Sequence, residues 1–212
     1  MTKIKDPYYN ETLQKIKELY VYNENKVEGV KEEGQQKGLE VLYDFVNQNN
    51  INSYGLAGCI LTMHQKLFSK SKFPEVGGGY RKVNNYIKGT SVETSDYTKI
   101  SNDIHELSES FKDLLERSHK IKKTKNSKEY QKFINDAIDI KCRLVEIHPF
   151  VDGNGRTCRA LLNYLLKQID VLPLYIDYKE KDEYIESMND AIVNKNKEKI
   201  YKYYHEKINK NR

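Results

Sequence analysis

The chain has no tryptophan, and only four prolines and three cysteines in 212 residues. The odd cysteine count, with Cys59, Cys142 and Cys158 at no metal-ligand spacing, argues against a disulfide framework and a zinc site. No apolar run approaches the roughly 18 residues of a membrane span, and no secretory leader is visible. Gly77-Gly78-Gly79 is not a phosphate-binding P-loop, because no Gly-Lys-Ser/Thr follows at the required distance. There is also no internal repeat and no low-complexity linker.

What is present fits one cytoplasmic domain over residues 1–212, with an exported protein left open. A chain of this length can bury a proper core, and 17 tyrosines with periodic Leu, Ile and Val supply it. The net charge of +5 comes from 36 basic and 31 acidic residues, mostly interspersed. The exceptions are Lys120–Lys125, which reads as an exposed inter-helix loop, and the Lys-rich tail after Asn194. With no nucleic-acid module beside them, they argue weakly for a nucleic-acid partner.

Periodicity predicts helices beginning at Asn10 or Thr12 and running to Val21, then over Lys37–Asn47, Ala57–Phe68 and Asn102–Arg117. Further helices are expected over Lys128–Ile147, from Arg156 to Leu166, and over Glu180–Val193 and Lys197–Ile208, with an extended stretch at Leu174–Asp177. Within 80–100, two short stretches around a Gly-containing turn predict a small β-hairpin. The fold class is therefore all-α with one hairpin.

Chemistry concentrates in His148-Pro149-Phe150-Val151-Asp152-Gly153-Asn154-Gly155-Arg156-Thr157-Cys158-Arg159. Pro149 disfavours helical geometry at His148, so the preceding helix should end there and present the imidazole at a junction. Gly153 and Gly155 free the backbone to form an anion cradle, and the following helix N-terminus points its dipole into it. Arg156 and Arg159, at i and i+3, share one face and offer planar donors suited to polyphosphate. His148 can take a proton from a hydroxyl at neutral pH. Asp152 can supply the single carboxylate by which Mg2+ is held beside substrate phosphates. The Gly153, Asn154 and Gly155 amides, with the Asn154 side chain, can stabilise charge on the attacked phosphate. The remaining histidines, His64, His105, His119 and His205, have no special sequence neighbours.

This run resembles the signature of the Fic (filamentation-induced-by-cAMP) family, His-Pro-Phe-x-[Asp/Glu]-Gly-Asn-Gly-Arg-x-x-Arg, with every defined position matched. The resemblance implies a Fic-type helical bundle that transfers AMP from ATP to a Tyr, Thr or Ser hydroxyl of a target protein. Within the first 30 residues, Glu24 to Gly29 resembles the family's inhibitory-helix motif [Ser/Thr]-x-x-x-Glu-[Gly/Asn]. The resemblance implies that Glu28 pairs with Arg159 and blocks productive docking of the γ-phosphate. Glu24 stands where the pattern has Ser or Thr, a departure that bears on how the segment is anchored. Gly29 also suits a plain helix C-cap.

By the same resemblance, Tyr86, Ile87, Lys88, Gly89, Thr90, Ser91 and Val92 form a flap that aligns a target segment as an added strand. Tyr184 is the candidate for contact with the nucleotide base, or else a core tyrosine. The related Doc toxins carry Lys where this chain has Gly155, which favours nucleotide transfer over phosphorylation. Another donor nucleotide, AMP removal, self-modification, a homo-oligomer, and a nucleotide-binding module without catalysis all stay open.

Overall fold

The computed structural model describes residues 7–124 and 127–210. Within them lie eight α-helices: α1 (Pro7–Glu28), α2 (Glu33–Gln48), α3 (Gly55–Phe68), α4 (Ile100–Thr124), α5 (Ser127–Ile147), α6 (Asn154–Lys167), α7 (Lys181–Val193) and α8 (Glu198–Lys210). Among these described residues no helix is long and apolar enough to cross a membrane.

Helix α6 organises the rest. Every residue from Arg156 to Leu166 is buried, and a helix buried on all sides must be surrounded by others. Helices α2, α3 and α5 pack along it, and α1 reaches its start. Helices α7 and α8 pack on each other and on α5. The apolar faces of α2 to α5 close the core with Leu39, Leu42, Ile60, Met63, Leu114, Phe133, Ile138 and Leu144. Because the polar start of α6 is buried with the apolar remainder, the signature arginines sit inside the bundle.

The helices extend the expected spans by a few residues at most ends, with two instructive differences. Helix α1 runs through Glu28, and Gly29 then turns the chain with φ of 65°. The Gly29 N–H bonds the Lys26 carbonyl at 3.1 Å and the Val30 N–H bonds the Asn25 carbonyl at 2.9 Å, a Schellman closure. The C-cap reading of Gly29 and the placement of Glu28 at the site are thus one arrangement. Helix α4 continues to Thr124, so Lys120 to Thr124 is helical, not the loop expected over Lys120–Lys125; Lys125 lies outside the described residues. A run of lysines is compatible with helix, and the buried Ile121 holds this last turn to the core.

The β-hairpin expected at Tyr86 to Val92 is absent: no strand occurs among the described residues of the 80–100 segment. The turn itself exists, with Gly89 at φ of 79° and the Thr90 N–H on the Ile87 carbonyl at 3.2 Å. Around it, side chains take the place of a ladder. The Thr94 hydroxyl donates to the Asn85 carbonyl at 2.6 Å, and Asn84 Oδ1 accepts from the Tyr97 N–H at 2.8 Å. The Ser95 N–H turns away to the Glu146 carbonyl of α5. With those groups committed elsewhere, a lone two-stranded ribbon has too little to hold it.

Candidate active site

The site begins where α5 ends. His148 has φ of 51°, a left-handed conformation uncommon for a residue with a side chain. Its N–H still closes the helix on the Leu144 carbonyl at 3.0 Å. Arg81 holds it there. The Arg81 guanidinium is buried; its Nε donates to the His148 carbonyl at 2.8 Å and Nη1 to the Val83 carbonyl at 2.8 Å. Nη2 donates to the Ser95 carbonyl, and the Arg81 N–H to the Pro149 carbonyl at 2.9 Å. One arginine therefore captures carbonyls freed at a helix C-terminus and ties the 80–100 segment to the signature. Burial lowers the His148 pKa below its ordinary value; the Val145 carbonyl opposes this, and the Arg81 charge adds to it.

The loop that follows is closed on itself. Asn154 Oδ1 accepts from the Phe150 N–H at 2.9 Å, and its Nδ2 donates to the Phe150 carbonyl at 2.8 Å. The Asn154 amide is thus used in shaping the loop, not left free as the sequence suggested. Gly153 has φ of 74°, and a Cβ there would meet Phe68 at 2.8 Å and Leu67 at 2.9 Å, so only glycine fits. Beneath the loop lies His64 of α3, fully buried, with its ring stacked on Phe150 at 3.8 Å. His64 Nδ1 accepts from the Gly78 N–H at 3.0 Å, so Nε2 carries the proton it donates to the Asp152 carbonyl at 3.0 Å. Sequence reasoning passed over His64; its only signal was its place on the apolar face of α3.

The structure separates the two arginines. Arg156 is 1% exposed and points under the loop. Its Nη2 donates to Gln35 Oε1 of α2 at 3.1 Å and stands 3.6 Å from Asp152 Oδ2. Its Nε and Nη1 are buried without a hydrogen-bond partner. Gln35 gave no sign in the sequence. Asp152 itself is more than half exposed, and its Oδ1 accepts from the Gly153 N–H at 2.6 Å. No group of three or more His, Cys, Asp or Glu is assembled among the described residues. A cation here would thus rest on one carboxylate and on substrate phosphates, a donor set that fits Mg2+.

Arg159 is clamped between two carboxylates of α1. Its Nε donates to Glu24 Oε2 at 2.5 Å, and its Nη2 to Glu28 Oε1 at 2.5 Å. Glu24 also accepts from the Ile176 N–H at 3.4 Å, and its neighbour Asn23 accepts from the Tyr178 N–H at 3.0 Å. The residue in the Ser/Thr position is therefore an anchor. Burial works against the Arg159 charge, but Glu24 and Glu28 more than offset it and hold the guanidinium well above its ordinary pKa. Burial also pushes Glu28 up, but Arg159, Arg156 and Lys181 outweigh it and bring the carboxyl below the usual carboxylate range.

Glu28, His148, Asn154, Gly155, Arg159 and Tyr184 line one cavity of about 360 Å³. Its apolar end is formed by Val27, Val145, Ile185, Met188 and Ile192, and its rim by Ile87, Lys88, Thr90 and Val92. Of the remaining 86–92 residues, Tyr86 is 81% exposed at the surface, Gly89 is the turn, and Ser91 is exposed. Tyr184 is held from behind by Lys141, a buried amine whose Nζ donates to its hydroxyl at 2.6 Å. Lys141 was not foreseen either.

Comparison with known proteins settles the family. The model described as "Fic/DOC family" matches residues 57–166. The chain belongs to the Fic/DOC family. Two curated relatives, each named protein adenylyltransferase Fic, come from Nematostella vectensis (45% identical over 49 residues) and Drosophila melanogaster (45% over 51). These alignments cover 23% and 24% of this chain, and 12% and 10% of those proteins. The chain thus spans about a tenth of the length of the curated relatives it matches. Among solved structures, Fic-1 of C. elegans superposes with a TM-score of 0.76 at 19% identity, covering 98% of this chain and 64% of that one. A Fic domain containing signaling protein of Bacteroides thetaiotaomicron superposes at 0.71 and 15% identity, covering 97% and 88%. At these identities the superpositions establish the helical fold of the Fic protein.

Proposed function

We propose that this Fic protein is an adenylyltransferase restrained by Glu28. The observation that carries the reading is the sharing of one cavity by the His148 imidazole and the Arg159 guanidinium, with the Glu28 carboxylate lodged on the arginine. That cavity falls within the usual size range of small-ligand sites, and its apolar end suits a purine.

In this reading His148, neutral at physiological pH, accepts the proton of a Tyr, Thr or Ser hydroxyl as its oxygen attacks the α-phosphorus of ATP. The new bond joins that oxygen to AMP, and the bond to the β-phosphate oxygen breaks, releasing pyrophosphate. The amides at the start of α6 and Arg159 bear the charge of the phosphates, and Arg156 supports the loop from beneath. Mg2+ carried by Asp152 supplies charge neutralisation of the nucleotide. The 86–92 segment at the rim is the docking place for the target, through shape and side chains in place of a preformed strand. Glu28 occupies Arg159 at rest and so excludes the phosphate that would pair with it.

The test uses ATP labelled at the α-phosphate, with Mg2+ and a lysate, comparing the unaltered chain with Glu28→Gly and His148→Ala. Protein-bound label should rise with the first change and vanish with the second. Label that reaches protein from γ-labelled but not from α-labelled ATP, or α-label retained by His148→Ala, sinks the assignment. A second reading draws on the position of Glu28 in the same cavity as His148, where its carboxylate can orient a water for AMP removal. Loss of label from pre-modified protein in a Glu28-dependent manner favours it.

A further inference from the structure

We propose that Glu24 is a positioning residue for Arg159. It holds the guanidinium by its Nε edge so that the Nη groups face the cavity, where a nucleotide phosphate replaces Glu28.

The two carboxylates on Arg159 are not equivalent. Glu28 is the last residue of α1, its side chain is 32% exposed, and it lines the cavity. Glu24 lies one helical turn earlier, its side chain is 0% exposed, and it is not among the residues lining the cavity. Glu24 Oε2 takes the Arg159 Nε at 2.5 Å, and its Oε1 accepts from the Ile176 N–H at 3.4 Å in the segment after α6. Both of its oxygens are thus committed on the side away from the cavity. Withdrawing a buried carboxylate from its partner is costly, whereas a half-exposed one can be exchanged for another anion.

The fork geometry of arginine makes this division useful. A guanidinium offers five N–H groups in one plane, so fixing the Nε–H fixes the direction of the rest. When Glu28 leaves, an Arg159 held only by its aliphatic stem is free to rotate away; held by Glu24, it keeps its Nη groups on the phosphate. The hydroxyl that the family pattern places at position 24 brings neither the charge nor the bidentate reach of Glu24. Since Glu24 approaches from behind, it does not compete for the place of the phosphate, as Glu28 does.

This inference rests on the proposed nucleotide site, and the experiment separates the two. Binding of AMPPNP with Mg2+, and of AMP, is measured by calorimetry on Glu28→Gly alone and combined with Glu24→Gln or Glu24→Leu. The Gln variant keeps the Nε acceptor and sheds its charge, so AMPPNP affinity should hold or rise up to several-fold. The Leu variant removes the acceptor, so AMPPNP affinity should fall at least tenfold while AMP affinity changes less than threefold. In the absence of nucleotide, the Arg159 Nε–H resonance, assigned through Arg159→Lys, should stay protected from exchange in the Gln form and lose protection in the Leu form.

Equal weakening of AMP and AMPPNP in both variants would reduce Glu24 to an anchor of α1 and overturn the proposal. Tighter AMPPNP binding by Glu24→Leu would make it a second lock and overturn it as well. If Glu28→Gly itself binds no AMPPNP, the nucleotide reading fails, and the role of Glu24 toward a phosphate fails with it. If Glu28→Gly binds and the Leu variant binds equally well, only the Glu24 assignment is wrong.

Discussion

A Cβ on Gly155 would lie 2.3 Å from Glu28 Oε1 and 2.9 Å from Arg159 Nη1. The missing side chain at position 155 is what lets the carboxylate reach the arginine, so any residue but glycine and the Glu28 lock exclude each other. Both atoms are ends of flexible side chains, so Gly155→Ala should be accommodated by displacing Glu28 while the helix stays intact. A double-mutant cycle checks this. Gly155→Ala should cost stability in the unaltered chain and about 1 kcal/mol less in a Glu28→Gly background, the usual size of coupling between touching residues. Additive effects would mean that the two groups do not meet.

The two carboxylates on Arg159 predict unequal stability losses. Glu28→Ala leaves Arg159 paired to Glu24, and the carboxylate it removes is a third exposed beside a buried guanidinium, so the cost should be about 1–2 kcal/mol, between a surface and a buried pair. Glu24→Ala leaves a buried guanidinium edge and the Ile176 N–H without their partner, for which about 3 kcal/mol is the ordinary scale. Urea denaturation with an unchanged m-value reads both. An equal loss, or a greater one for Glu28, would contradict the difference in their surroundings.

His148 gives a pH prediction with a definite sign. Burial, with the Arg81 charge beside it, lowers the imidazole pKa below the ordinary 6.5, so the ring stays neutral to lower pH than a free histidine. As a base it works only when neutral, so kcat/KM of Glu28→Gly should fall toward low pH with a single-proton limb centred below 6.5. Glu28 raises the His148 pKa in the unaltered chain, so the limb should sit at slightly higher pH there. A limb centred at or above 6.5 would remove His148 from the role.

Much of this site was legible because its chemistry is local. The spacing from His148 to Arg159 placed a helix end, a glycine-opened loop and a helix start in order, and each stands where the spacing put it. The paired arginines were legible as residues but not as partners: i and i+3 share a face, yet burial sends Arg156 under the loop to Gln35 and leaves Arg159 to the cavity. Glu24 looked like a weakened anchor because a motif names a residue type, whereas the buried Arg159 makes a carboxylate at that place an asset. The hairpin failed for the complementary reason: a glycine turn fixes a reversal of the chain, but strand pairing depends on where the flanking backbone bonds go. Here the Arg81 N–H goes to the Pro149 carbonyl and the Ser95 N–H to the Glu146 carbonyl at the end of α5. Such long-range hydrogen bonds leave no periodicity in a sequence.

His64 carries the last prediction. It bridges the Gly78 N–H to the Asp152 carbonyl, and only the neutral ring protonated on Nε2 can make both bonds. Burial lowers its pKa to about 4, so ¹⁵N shifts should report an Nε2–H tautomer that does not titrate between pH 8 and 5. His64→Leu keeps much of the packing on Phe150 and strands the two backbone groups, which should cost about 1–3 kcal/mol. Because the loosened carbonyl is that of Asp152 itself, the same change in a Glu28→Gly background should raise the Mg2+ concentration needed for half-maximal activity. A variant that loses stability without any shift in Mg2+ dependence would limit His64 to packing, since the bridge would then not reach the carboxylate it was held to position.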